Sequence, residues 1–391
     1  MPGDAVEPVG SGPPPDRQPG AATAWRDPAV VAYAVALGVA IVQCTAALAG
    51  VAPFAGHADR LARAGVPYLA AFGLLLALRR GGRRADVSGP PLDPWLIALA
   101  VAGGVLAGWL LVRFGLALPA AVGAEHGFYR LKGRITSPLG DHNTAAGLLL
   151  VPLVASAVLG ATRHPRWWLL GALVALGTAA TLSRGVAVVL AGMVVLAAFT
   201  ASRRRVTLGL AGALAIVVLG LVATSLTLDT SVPAGTAPPG PATQAGAGPL
   251  GASVLGRIDL AVRGVETGLD HPLLGIGLGR FASAAGDLPR PNDHAHQAVA
   301  HALAEGGVPL AVATVVAALT LAVRGLRAPR SGRRDLVLLA GAGLLVHAQI
   351  EILSGRLGHE VLLAVLLGLG APATNRPARA GREPGAGSTG G

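Results

Sequence analysis

Residues 257–307 place an arginine-bearing amphipathic stretch, the run HPLLGIGLGRF and the run HAHQAVAHALAEGG one after another. Guanidinium groups stay charged and meet phosphate oxygens with paired donors, which fits Arg257, Arg280 and, further upstream, Arg184 for a phosphorylated anion. A neutral imidazole accepts a proton near neutral pH, so His296 is the general-base candidate for an attacking hydroxyl. His294 and His296, with Asp293 beside them, form an H-x-H pair that invites a metal reading. Two imidazoles and an adjacent carboxylate do not complete a ligand set, and no metal site is assigned. Gln297, His301 and Glu305 recur every four residues and would line one helix face, which points to a cavity or the bundle interior if the helix enters a membrane. Gly306, Gly307 and Pro309 should kink or break that helix.

The elements that must position these groups are set by composition. Hydrophobic residues make up 52% of the 391-residue chain and charged residues 13%, a balance that excludes an ordinary soluble domain. Apolar runs long enough for a hydrocarbon core of about 30 Å recur over 29–52, 64–78, 95–112, 144–161, 167–182, 186–201, 206–228, 297–323, 336–353 and 360–371. The expected fold is an all-α polytopic bundle of about ten transmembrane helices (9–12) over residues 28–371. Residues 1–27 and 372–391 read as disordered cytoplasmic tails.

Arginine placement gives an orientation. With the N-terminus inside, 19 of the 31 basic residues fall on inner segments, so both termini are expected in the cytoplasm. The expected location is the inner (plasma) membrane. A net charge of +11 raises nucleic acid as a partner, but the arginines cluster at helix ends rather than along one soluble face, and anionic lipid headgroups fit them better. The single cysteine, Cys44, lies in the first apolar run and excludes an internal disulfide framework.

Two outer segments are long. The first runs from about residue 119 to 143; the second, 229–295, opens on a Pro/Gly/Ala linker and continues from Arg257 with Ile258, Val262, Val265 and Leu269 at helical spacing. An interfacial helix on the outer surface is expected there, ended by Pro272 and the glycines at 275, 277 and 279. Arg184, in the short turn Ser183-Arg184-Gly185, would lie at the outer surface or in a cavity there; it marks a site or snorkels to headgroups. Arg257 is open to the reading of a lipid-facing anchor, Arg280 to that of a solvated loop charge, and Asn143 to that of a helix cap. His347 and Glu351, four apart in the ninth run, are expected to pair.

Four blocks then stand in a telling order: GRITSPLGDHNTAAGLLLVP, TLSRGVAVVLAG, GRIDLAVRGVETGLDHPLLGIGLGRF and HAHQAVAHALAEGGVPL. Together, over about 133–310, they resemble the O-antigen ligase and Wzy-type O-antigen polymerase superfamily; the flanking helices agree in hydropathy only. The resemblance implies a GT-C-like membrane glycosyltransferase that moves a glycan from a polyprenyl-diphosphate carrier to a glycan or glycolipid acceptor on the outer side of the membrane, without nucleotide sugar, cofactor or metal. It implies Arg184 and Arg257 on the diphosphate and His296 as base, with Asn143 and Gln297 at family positions; it does not demand an arginine at 280, and Arg280, His294, His301 and Glu305 are placed around the substrates on their own chemistry and spacing. His296, Gln297 and Gly307 satisfy the ligase pattern of His, then Asn, Ser or Gln, then nine residues, then Gly. Leu310 departs from it, where Gly, Thr or Tyr is usual. The alternative is a lipid-linked oligosaccharide flippase or other transporter, against which stand the lack of an evident internal repeat and the gathering of candidate residues at one outer face.

Overall fold

The computed structural model describes residues 24–84, 92–135, 141–231, 249–284, 295, 297–350 and 356–371. His294, His296 and Glu351, the linker over 232–248 and the tails before residue 24 and after residue 371 lie outside these. Every element among the described residues is helical: α1 (Pro28–Leu48), α2 (Ala58–Arg84), α3 (Leu92–Ala117), α4 (Gly127–Arg134), α5 (His142–Thr162), α6 (Arg166–Ala180), α7 (Arg184–Thr200), α8 (Arg204–Thr227), α9 (Pro249–Asp270), α10 (Phe281–Ala284), α11 (Ala298–Arg327), α12 (Gly332–Asp335), α13 (Gly341–Ile350) and α14 (Leu357–Leu369). A π-helical turn, Leu336–Ala340, joins α12 to α13.

Six of these are long and apolar enough to cross a membrane: α1, α2, α3, α5, α8 and α11; α6, α7 and α14 are shorter apolar helices. The reason is composition rather than amphipathic patterning: α1, α3 and α8 leave large aliphatic residues such as Ile41, Val105 and Leu219 on their outer surface, as a hydrocarbon solvent permits. Residues 24–27 belong to the fold rather than to a tail, and Asp27 caps α1 by accepting from the Ala29 amide (2.8 Å), with Pro28 in the first helical position.

Helix α5 is the axis of the bundle. Every residue from Thr144 to Ala161 is buried, with α3, α6, α8 and α13 packed around it. Its Pro152 sits where a Cβ on Gly103 of α3 would stand (2.1 Å), so the helix-interior proline is housed by a glycine of its neighbour. A second group packs α1 on α2 and α11, α14 on α2, and α9 on α11.

Polar links gather at the two ends of the helices. At the arginine-rich end, buried Asp27 pairs with Arg79 (2.5 Å) and Arg324 (2.6 Å), whose guanidinium also donates to the Leu367 carbonyl. Nearby in sequence order, Asp335 accepts from the Ser202 amide (2.9 Å), and Arg334 donates to the Thr200 carbonyl (2.6 Å). These links fix where α7, α8, α11 and α14 meet and leave the opposite end to the candidate site.

Candidate functional site

The site is built on a break. Gly307 has φ 68° and ψ −167°, so α11 runs helically to Gly306, reverses its backbone for one residue and resumes. Only glycine meets that requirement without strain, and a Cβ here would lie 2.5 Å from the Pro272 carbonyl oxygen. The interruption frees backbone groups, and the segment 272–281 takes them up: Val308 N–H donates to the Pro272 carbonyl (2.8 Å), Ile276 N–H to Ala304 (2.9 Å) and Gly277 N–H to Glu305 (3.1 Å). Close approach of the two backbones requires Gly275, where a Cβ would sit 2.4 Å from the Glu305 carbonyl carbon.

Two side chains complete this stitch. The Glu305 carboxylate, 5% exposed, accepts from the amides of Gly279 (2.8 Å) and Phe281 (3.0 Å), the second of which opens α10. Gln43, fully buried in α1, donates to the carbonyls of Leu274 (2.7 Å) and Glu305 (2.8 Å) and accepts from the Leu278 amide (3.0 Å). The sequence reading missed Gln43; its signal was a lone amide inside an apolar run, a group that must find partners when buried.

The last turn of α13 draws the rest together. Arg257 Nη1 donates to the Ile350 carbonyl (3.1 Å), using the unsatisfied acceptor of a helix C-terminus. Gln297 caps α11 by accepting from the Ala300 amide, while its Nε2 donates to Gln349 Oε1 (2.7 Å). A Cβ on Gly185 would touch Ile350 Cγ2 (3.4 Å), which brings the start of α7 to the same place. Arg184 is the first residue of α7, exposed, with its guanidinium carbon 5.4 Å from the centroid of the buried Phe128 ring of α4. Ser183 at the N-cap makes no side-chain capping bond, so α7 directs open amides and an arginine to one spot, a ready anion site. The turn before it is strained: Leu182, buried and non-glycine, has φ 57°, a conformation that costs on the order of 1–3 kcal/mol and is held where the surroundings demand it.

The sequence candidates are thus brought together unevenly. Arg257 and Gln297 bond to Ile350 and Gln349, and Arg184 follows at the start of α7, which packs on Ile350 through Gly185. His301 and Glu305 meet each other, with 3.4 Å between Nε2 and Oε2, and His301 stacks edge-on to Phe281 (5.8 Å). Gln297 does not share their face, because as the extended cap residue (φ −157°) it precedes the helix and points to α13. Glu305 engages both oxygens with the loop, so it anchors backbone instead of presenting a free carboxylate. Arg280 donates to the carbonyls of Pro53 and Ile276 and adjoins Arg60; burial first, then that neighbouring charge, lowers its pKa from the usual arginine value. It is therefore a half-buried tie to the α1–α2 connection, not a solvated loop charge. Asn143 is not the cap of α5: Asp141 is, accepting from the Thr144 amide (2.8 Å), and Asn143 follows one turn position in, half-buried. His347 is fully buried in α13.

Helix α9 begins at Pro249, eight residues before the expected start at Arg257, and ends at Asp270 just ahead of Pro272. Its glycine face, Gly264 and Gly268, lies against Ala300 and Leu303 of α11, where a Cβ would have no room. The stripe Ile258, Val262, Val265 and Leu269 faces away from the protein and is 41–65% exposed.

Fold and site together define a polytopic helical membrane protein with a basic, broken-helix site at one end of its bundle. Residues 169–315 match the family model Wzy_C, described as O-antigen ligase, and this bears out the O-antigen ligase/polymerase family read from the sequence blocks. The matched segment runs from α6 to the resumed half of α11 and takes in Arg184, Arg257, Gln297 and Gly307, while Asn143 lies before it. No curated protein matches the chain.

Proposed function

We propose that this chain is a membrane glycosyltransferase of the O-antigen ligase/polymerase type, acting on a polyprenyl-diphosphate-linked oligosaccharide at the outer face of the inner (plasma) membrane in cell-surface polysaccharide biosynthesis. One observation carries the reading: Arg257 and Gln297, far apart in sequence, both bond to the last turn of α13, against which Gly185, the residue after Arg184, packs the start of α7. Arg184 and the start of α7, with Arg257, hold the diphosphate. His296, the residue before Gln297, takes the proton of the acceptor hydroxyl as its oxygen attacks the anomeric carbon. The bond from that carbon to the diphosphate oxygen breaks, and its electrons leave with the diphosphate, whose charge the guanidiniums stabilise. Attack from the face opposite the leaving group inverts the anomeric centre.

In this reading the ten apolar stretches, with α12 to α13 counted as one, cross the membrane, and both termini lie in the cytoplasm. Residues 229–295 form the outer loop, with α9 resting its exposed aliphatic stripe in the membrane interface. Glu305, Gln43 and Arg280 position the loop, and His294, His301 and Asn143 border the substrates.

The test is transfer in proteoliposomes. Purified protein, a polyprenyl-diphosphate-linked oligosaccharide and an acceptor are followed by mass spectrometry beside His296→Ala. Elongated or transferred glycan, lost in the variant, is expected. Lipid carried to the opposite leaflet with no new glycan would overturn the reading and mean a flippase.

A further inference from the structure

A cavity lies away from the site. It measures about 410 Å3, within the ~300–1,000 Å3 of small-ligand pockets, and opens between α6 and α8 over a floor of α5. Leu153 and Ala157 form the floor, and Gly171, Gly209 and Gly212 hollow the walls. The wall is shaped by Trp168, whose ring fills the space where Cβ atoms on Gly160 and Gly209 would stand (2.6 and 2.0 Å). Beyond it Gly212 meets nothing within 4 Å, so the hollow there is open.

Its chemistry changes along its length. Most of the lining is aliphatic, and one end carries Arg205, the exposed second residue of α8. Arg204 is exposed beside it, and neither has an ion-pair or hydrogen-bond partner among the described residues. An apolar trough with a lone guanidinium at its mouth matches an acyl chain joined to an anionic headgroup. Leu208, which lines the trough and is 59% exposed, places the opening on the lipid-facing surface of the bundle.

We infer that this groove holds one anionic phospholipid, with an acyl chain along Gly171, Gly209 and Gly212 and the headgroup phosphate on Arg205. The site is distinct from the proposed catalytic one. Arg184 and Arg205 lie at opposite ends of α7, whose 17 residues at ~1.5 Å each span about 25 Å. The lipid therefore sits in the leaflet opposite Arg184 and is not the glycan donor.

The test needs no activity. Full-length protein is reconstituted in nanodiscs of phosphatidylglycerol and phosphatidylcholine with matched acyl chains, released, and examined by native mass spectrometry. One retained phosphatidylglycerol is expected, at least fivefold over phosphatidylcholine. Gly212→Leu, at a position where a Cβ meets nothing within 4 Å, extends a side chain into the hollow, and Arg205→Gln removes the charge; each should cut the retained fraction at least fivefold while elution volume and far-ultraviolet circular dichroism stay unchanged. Equal retention of the two lipids, or full retention by either variant, would overturn the inference. Displacement by millimolar inorganic phosphate would reduce the site to a headgroup contact and also overturn it, as would displacement by polyprenyl diphosphate, which would assign the groove to the donor chain.

Discussion

Glu305→Ala should release the loop over 275–281 without unfolding the bundle, and the size of the effect can be worked from its bonds. The carboxylate accepts two backbone amides, Phe281 N–H at 3.0 Å and Gly279 N–H at 2.8 Å. A hydrogen bond to a charged group contributes about 1.5–3 kcal/mol net. Phe281 is fully buried and takes about 2 kcal/mol, whereas Gly279 is exposed and, with water able to replace the carboxylate, counts for about 1 kcal/mol. Local opening should therefore become easier by about 3 kcal/mol, which is roughly a 100-fold acceleration of exchange at ~1.4 kcal/mol per tenfold. Hydrogen exchange in detergent micelles reads this directly at the Phe281 amide. Amides of α5, from which no hydrogen bond reaches the Glu305 carboxylate among the described residues, should keep their protection. Glu305→Gln retains one acceptor oxygen and should lose about tenfold at one of the two amides, on the order of 1.4 kcal/mol. If Phe281 in Glu305→Ala keeps wild-type protection, the carboxylate does not hold the loop, and its two oxygens must be sought by substrate instead.

Three further outcomes are expected. Gly307→Ala puts a Cβ at φ 68° and 2.5 Å from the Pro272 carbonyl, so it should lower the thermal midpoint in detergent and abolish transfer while membrane insertion persists; retained midpoint and activity would mean the break is not required. Arg184→Lys should transfer glycan at least tenfold more slowly, since a point charge cannot bind phosphate oxygens as a planar fork does, and full activity would point to charge alone. Asp229 ties Ser231 and His126, and backbone hydrogen bonds from Ser231, then His126, lower its pKa from 3.8 to about 2. Because the folded pKa is the lower one, this clasp is fully formed above about pH 4 and is lost as pH falls through about 2; the Asp229 carboxyl signal in carbon NMR should titrate near 2, and titration near 3.8 would refute the clasp.

Much of the bundle was readable because a membrane imposes length and apolarity on each helix separately. The break in α11 was readable for a similar reason: Gly306, Gly307 and Pro309 act on their own backbone. What joins the helices was not. Gln43 and Glu305 are 262 residues apart, and their hydrogen bond depends on α1 packing against α11, which no local pattern announces. Gln349 and Ile350 were passed over because Ile350 contributes a carbonyl, a group every residue has, and Gln349 lies two positions from the more conspicuous His347. The four-residue spacing of Gln297, His301 and Glu305 misled for a definite reason. Spacing assumes a helix, and Gln297 is the cap that precedes one.

The arrangement divides the work between two supports. The loop, Gln43 and Glu305 fix the break in α11 from the side of α1, and α13 reaches the start of the same helix through the Gln349–Gln297 bond. Arg257 depends on α13 as well, but on its backbone rather than on a side chain. Removing the Gln349 amide should therefore disturb the histidine side of the proposed site and leave the arginine side in place. In Gln349→Leu the acceptor hydroxyl would lose a well-oriented base while the diphosphate is still bound, so kcat should fall with KM for the lipid-linked donor nearly unchanged. A rise in KM with kcat preserved would instead put Gln349 on the donor and make α13 a binding wall rather than the hinge between the two halves.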